Sequence, residues 1–190
     1  MQPFEQSPYW KTLQPIIENG AIQAAIDGVY KYPYRINLYP GISCMFECLY
    51  CGRNYDAVIK KSENVYKQII EQDDGKDKNR FGITGGLEPL TSPYINNICK
   101  DLIDKGYKSR MVTNGFLLND KIISKNPYIN SLDHLRISLY GLDNEEYVAT
   151  TRHKLGWKVV KENLTNYNKR DDKTKLFLNY VLLPKHFENL

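Results

Sequence analysis

Ile36-Asn37-Leu38-Tyr39-Pro40-Gly41-Ile42-Ser43-Cys44-Met45-Phe46-Glu47-Cys48-Leu49-Tyr50-Cys51 carries an apolar run into a Pro-Gly turn and then into three cysteines spaced C-x3-C-x2-C. Thiolates this close in sequence converge readily on a metal centre, and three of them leave one coordination position open. A structural zinc site closes with four protein ligands in a tetrahedron. An iron–sulfur cube is also held as a rule by four cysteines, so three would leave one iron to bind something else. The apolar run reads as a strand, which places the thiols on the loop that leaves its carboxyl end.

The rest of the chain supplies the frame. Its 190 residues suffice for one domain with a real core. At 42% hydrophobic and 25% charged residues the composition is that of a soluble globular protein. The net charge of +4, from 26 basic and 22 acidic residues, is too balanced to imply a nucleic-acid partner, and no Lys/Arg stripe is present. No segment reaches the ~20 apolar residues that cross a bilayer. Met1-Gln2-Pro3-Phe4-Glu5-Gln6 has neither the basic start nor the apolar core of a signal peptide. Four cysteines in a chain of this length are no disulfide framework, so the thiols read as reduced and the protein as cytoplasmic. The fourth, Cys99, falls on a helical apolar face with Ile95, Ile98, Leu102 and Ile103, where a small buried side chain is expected. The fifteen tyrosines are scattered, as half-buried rings with wet hydroxyls would be.

From Arg35 onward, strand-like and helix-like segments alternate. Strands are expected at Arg35–Tyr39, Arg80–Thr84, Ser109–Thr113, Leu135–Leu139 and Leu176–Leu182, each short, apolar and suited to burial on both faces. Helices are expected between them. Glu63–Asp73 carries Val65, Ile69 and Ile70 on one side. Ser92-Pro93 opens the Cys99 helix and Gly106 closes it. Asn119–Lys125 turns Ile122 and Ile123 inward. Asp143-Asn144-Glu145-Glu146 has the form of a capping box, and Gly156–Asn168 repeats the apolar pattern through Val160, Asn163, Leu164 and Tyr167. Such alternation defines an α/β fold with a parallel sheet, open or curled into a barrel, and its chemistry belongs at the carboxyl ends of the strands. Residues 1–34 read as an N-terminal helical extension, with Pro15 and Ile16 near a start and Gly28 near a stop. Residues 35–190 read as the core.

The loop after the second expected strand is Ile83-Thr84-Gly85-Gly86-Leu87-Glu88-Pro89-Leu90. Its glycines let the backbone approach a ligand closely, and the carboxylate beside them can accept from a cationic amine. With the cysteine loop on the preceding strand, this resembles the radical S-adenosylmethionine (radical SAM) enzymes, whose cluster motif is C-x3-C-x2-C with an aromatic before the third cysteine, as Tyr50 is here. Their second strand ends in Gly-Gly-Glu-Pro, into which this chain inserts Leu87. Thr113-Asn114-Gly115 is also similar to the family. The resemblance implies a partial (β/α)6 barrel and a [4Fe–4S] cluster on Cys44, Cys48 and Cys51. The fourth iron would chelate S-adenosylmethionine, whose one-electron cleavage yields a 5′-deoxyadenosyl radical that abstracts hydrogen from substrate. It further implies cofactor contacts from Tyr50, Gly85, Gly86 and Glu88, from Ser138 to the ribose, from Arg152 to the methionine carboxylate, and from Asn179 to adenosine or substrate. A flavodoxin or ferredoxin would supply the electron. His134, His153 and His186 have no ligand-like spacing and are assigned no metal.

Only five clear strands are present where the family has six, so the barrel is expected to be incomplete at its C-terminus and finished by another segment, a partner chain or a dimer. A small metabolite such as a nucleotide-linked amino sugar is the favoured substrate. Glycyl-radical activation and peptide modification share the same core. A non-enzymatic protein using three cysteines for zinc or for electron transfer is the competing class.

Overall fold

In the computed structural model, residues 14, 17–18, 20–29, 33–52 and 62–181 are described. The expectations at Pro15 and Ile16, at Leu182 and at the C-terminal residues 185–190 lie outside them. After a short helix α1 (Ala21–Ile26), which ends near Gly28 at φ 66°, strand and helix alternate: β1 (Ile36–Leu38), α2 (Glu63–Gln72), β2 (Phe81–Ile83), α3 (Ile95–Asp104), β3 (Arg110–Thr113), α4 (Asp120–Lys125), β4 (His134–Leu139), α5 (Asn144–Thr151), α6 (Gly156–Asn168) and β5 (Lys175–Tyr180).

The five strands form one sheet in the order β1-β2-β3-β4-β5, and every neighbouring pair is parallel. A doubly wound sheet reverses its strand order at a switch point. Here the order never reverses, so each crossover follows the same hand and adds its strand on the same side. The sequence alone allowed an open sheet or a curled one; the unbroken order settles on the arrangement of a partial barrel.

Burial alternates strictly along β3 and β4. Leu38, Phe81, Ile83, Met111, Leu135 and Ile137 face the helices and are almost wholly buried among Ile70, Ile98, Cys99, Leu102, Ile123 and Val160. Cys99 is thus the small buried side chain expected. The expectation of strands buried on both faces holds on β2, whose three residues are all buried, and fails on the other side of the remaining strands. Asn37, Arg110, Arg136, Ser138 and Asn179 lie on that inner face, where no layer of the described residues covers them. On β5 this leaves Phe177, in register with Arg136, at 50% exposure.

Local signals set the ends of the helices. Asn119 Oδ1 accepts from Ile122 N at 3.1 Å, and Asp143 Oδ1 accepts from Glu146 N at 2.8 Å, while Glu146 Oε2 answers by accepting from Leu142 N at 2.8 Å. This last pair is the expected capping box displaced by one residue. Ser92 acts one turn earlier than expected: its Oγ accepts from Tyr94 N, and α3 begins at Ile95. On α2 the buried residues are Tyr66 and Ile70, whereas Val65 points outward at 51% exposure. The Tyr66 ring replaces it because its hydroxyl can donate to Tyr39 O at 2.9 Å.

At the amino ends of the strands, Arg80 pairs with Asp73 and, at 2.6 Å, with Asp74. The Asp73 side chain is fully buried and also accepts from the Tyr107 hydroxyl at 2.5 Å. Burial pushes the Asp73 carboxyl up, but the Tyr107 and Arg80 donors more than offset it and hold the group below its ordinary 3.8. A carboxyl depressed in the fold stabilises above its unfolded pKa and ceases to do so as pH falls through the folded value. We expect Arg80→Leu to cost about 3 kcal/mol at neutral pH by stranding a buried carboxylate. Urea melts should show the gap to wild type closing as the pH drops below that ordinary value.

Candidate active site

Four strand ends and the loops that follow them enclose a cavity of about 320 Å³. The loop after β1 contributes Cys44, Phe46, Cys48, Tyr50 and Cys51; the loop after β2 contributes Gly85, Gly86, Leu87, Glu88 and Pro89. Val112, Thr113 and Asn114 come from β3 and its end, Ser138 and Tyr140 from β4 and its end. This is the rim that the strand–helix alternation predicts, and the volume falls at the lower end of small-molecule sites.

The cysteine loop has little secondary structure of its own and is held from three sides. Phe46, between the first two cysteines, is buried in a nest of Phe116, Tyr140, Tyr147 and His153, with ring centroids 5.6–6.1 Å away in edge-on arrangements. Glu47 N and Leu49 N donate to Thr151 O and Thr150 O at 2.9 and 3.0 Å. Those carbonyls belong to the last turn of α5, where a helix has acceptors to spare. On the opposite side, Ile42 N and Ser43 N donate to Thr91 Oγ1, and Glu88 N donates to Ser43 O at 3.0 Å. Gly41 permits that approach: a Cβ there would lie 2.6 Å from Glu88 O.

Glu88 has more partners than its sequence position suggests. The residue is 3% exposed. Its Oε1 accepts from Thr113 Oγ1 at 2.6 Å and Leu90 N at 3.2 Å, and its Oε2 accepts from Asn114 N at 2.9 Å. Burial raises its carboxyl above the ordinary value, against the pull of those three donors, and no cation of the described residues pairs with it. A carboxylate has about four lone-pair sites. Three are taken, so one on Oε2 is left at the cavity wall.

Asn114 joins this network to the cysteines. Its Nδ2 lies 3.6 Å from Cys44 Sγ and 3.2 Å from Met45 Sδ, and its Oδ1 accepts from Phe116 N at 3.0 Å. Asn163 on α6 fixes the turn from behind by donating to Gly115 O and Phe116 O. Gly115, at φ 76°, has backbone torsions that disfavour other residues.

Of the residues expected at the site, Cys44, Cys48, Cys51, Tyr50, Gly85, Gly86, Glu88 and Ser138 line this one cavity. Tyr50 is 47% exposed, with its ring 6.1 Å from that of Tyr140. Asn179 stands in register beside Ser138 on the same inner face but outside the cavity wall. Arg152 is not brought to the wall: it ends α5 in a left-handed conformation, φ 58°, with its N–H bonded to Val148 O and its side chain exposed. The sequence reading missed Phe46, Tyr140 and Val112 as lining residues. Parity along the strands is the signal for Val112, because it shares the inner face with Ser138.

The donor chemistry of the three loop thiols is one that an iron–sulfur cluster can use. None of the four cysteines is in a disulfide, and the three on the loop are half-buried at one wall. Among the described residues no three His, Cys, Asp or Glu side chains are gathered around one ion-sized point. Tetrahedral zinc, with Zn–S of about 2.3 Å, draws its thiolates much closer together than a multi-iron cluster does. The Asn114 amide is also a donor suited to a cluster thiolate.

A sequential parallel half-barrel with three thiols and a glycine loop facing one another over its rim defines a cofactor-dependent class of α/β protein. The chain belongs to the Radical SAM superfamily, whose sequence pattern matches residues 38–189. It is 33% identical over 186 residues to the dTDP-4-amino-4,6-dideoxy-D-glucose ammonia-lyase of Streptomyces venezuelae; the match takes in 93% of this chain and 38% of that protein, so this chain spans well under half of its relative's length. Among solved structures, Streptococcus suis SuiB bound to its precursor peptide SuiA superposes with a TM-score of 0.59 at 21% identity, over 92% of this chain and 38% of SuiB. BtrN in complex with AdoMet and 2-DOIA gives a TM-score of 0.55 at 16% identity, over 84% of this chain and 64% of BtrN. At such identities these likenesses bear on the fold alone.

Two substitutions probe the geometry. Glu88→Ala leaves a buried hydroxyl and two backbone N–H groups without their acceptor and should cost about 3 kcal/mol in urea melts. Glu88→Gln should cost less. Gly41→Ala pushes the cysteine loop away from the β2 loop and should lower the melting temperature by several degrees, measured by circular dichroism.

Proposed function

We propose that Cys44, Cys48 and Cys51 hold a [4Fe–4S] cluster, and that the remainder of the cavity binds S-adenosylmethionine for radical chemistry on a small nucleotide-linked amino sugar. The observation that carries this is the meeting, in one cavity, of three reduced thiols with the glycine loop and the ends of β3 and β4. The bound cluster supplies the electron that cleaves the sulfonium and yields the hydrogen-abstracting radical; the protein's share is binding, orientation and exclusion of water.

In this reading the backbone at Gly85 and Gly86 runs alongside the methionyl part of the cofactor, and Glu88 offers the open lone pair of Oε2 to its ammonium. A buried carboxylate without a cation is complemented by one. Ser138 faces the ribose, with Asn179 next to it for adenosine or substrate, and Tyr50 packs near the adenine. Arg152 is the remaining candidate for the methionine carboxylate, although its side chain lies outside the wall of the cavity. A flavodoxin or ferredoxin delivers the electron, and another segment or a partner chain completes the barrel beyond β5. The substrate class rests on the 33% identity to an enzyme named for a dTDP-linked amino sugar.

The test is anaerobic reconstitution with iron and sulfide, followed by dithionite and S-adenosylmethionine. Wild-type protein should form 5′-deoxyadenosine and methionine. Cys48→Ala should retain its fold but lose the cluster absorbance and at least a hundredfold in product. Turnover persisting in Cys48→Ala would show the ligand set to be wrong, and no product from cluster-loaded wild type would sink the radical reading.

A further inference from the structure

The inner face of the sheet continues below the cavity, and its chemistry changes there. Val112 on β3 and Ser138 on β4 line the cavity. The next inner-face residue down each strand is Arg110 and Arg136, about 7 Å lower at the usual rise of a strand. Val112 is in register with Arg136, and Arg110 with His134, so the two arginines are diagonal neighbours on one face. Arg35, just before β1, completes the group, its guanidinium 5.9 Å from the Tyr34 ring.

These three arginines differ from others in the chain. Arg80 and Arg170 each carry two carboxylates. Arg35, Arg110 and Arg136 have no ion pair or hydrogen bond to any described residue, and Nε of Arg136 is buried with no partner. Arg110 is shifted below its ordinary pKa, first by burial and then by the charges of Arg35 and Arg136, and no carboxylate of the described residues counters them. The sheet also makes room here. Gly82, in register with Arg110, has the guanidinium of Arg110 3.8 Å from where its Cβ would stand, and Asn37 Oδ1 at 3.2 Å. Three guanidinium groups gathered on one face, with no carboxylate of the described residues among them and one buried donor unpartnered, attract a negative ligand.

We infer that Arg35, Arg110 and Arg136 form the binding site for the diphosphate of a nucleotide-linked substrate, on the inner face of the sheet directly beneath the cofactor cavity. This rests on the nucleotide-sugar reading above and assigns residues to its anionic part. Guanidinium groups match phosphoryl oxygens two at a time, and three of them suit two adjacent phosphoryl groups better than a single carboxylate. The spacing is consistent with the sugar at the rim, where the thiols and Ser138 are, and its diphosphate one step deeper.

The probes are inorganic pyrophosphate and thymidine diphosphate, titrated calorimetrically into the full chain, with sulfate at matched ionic strength as the control. Wild type should bind both probes at least tenfold more tightly than sulfate. Arg110→Gln and Arg136→Gln should each weaken binding at least tenfold while keeping a wild-type circular dichroism spectrum. Arg110→Lys keeps the charge, removes the fork and should fall between; it replaces the glutamine variant if that one unfolds. Equal affinity for sulfate, or undiminished affinity in folded Arg110 and Arg136 variants, would overturn the assignment. 5′-Deoxyadenosine formation by wild type is scored in the same preparation. Its failure with diphosphate binding intact counts against the radical reading alone, whereas its success without diphosphate binding counts against the arginine site alone.

Discussion

The Glu88 carboxylate is the interaction on which the rim depends. It is buried, it accepts from the end of β3 through Thr113 and Asn114, and its own backbone N–H reaches the cysteine loop at Ser43. Three loops from three different strands are thereby referred to one residue. Were it absent, two backbone donors and a hydroxyl would be left dry, and the thiol loop and the glycine loop would lose their shared carboxylate link to the end of β3. An acidic side chain that is costly to bury is tolerated here because it is the only group that accepts from so many directions at once.

That role could not be read from the sequence. Glu88 after two glycines signals a carboxylate near a ligand, and the structure does put it at the cavity wall, but its partners come from β3, 25 and 26 residues further on. Tertiary register decides such contacts. The parts that were legible are those set locally: the C-x3-C-x2-C spacing, the cap at Asp143, and the five apolar runs. Val65 was misplaced because periodicity on a short helix does not distinguish an aliphatic face from a neighbouring tyrosine that can satisfy its hydroxyl. That Arg152 ends a helix in a left-handed conformation was not visible in the sequence either.

The two faces of the sheet carry different information. The helix-facing side of β1 to β4 is apolar and closely packed, as an α/β core would be. The inner side carries asparagine, serine and arginine, residues that a strand buried on both sides would not be expected to hold. Reading β3 as Arg-Met-Val-Thr and β4 as His-Leu-Arg-Ile-Ser-Leu, the apolar residues dominate the impression and conceal the alternation. Separating the strands by parity isolates the functional face.

The strand order has a consequence for how the molecule comes to exist. Every strand pairs only with those immediately before and after it in the chain. No strand must wait for a partner more than one connection away, so the sheet can grow by accretion from β1 as the polypeptide emerges from the ribosome. The cysteine loop and the β2 loop lie at the early end of that order. The thiols themselves settle later, because their loop is anchored on the Thr150 and Thr151 carbonyls and on the rings of Tyr140, Tyr147 and His153, all of which follow β4 in the chain.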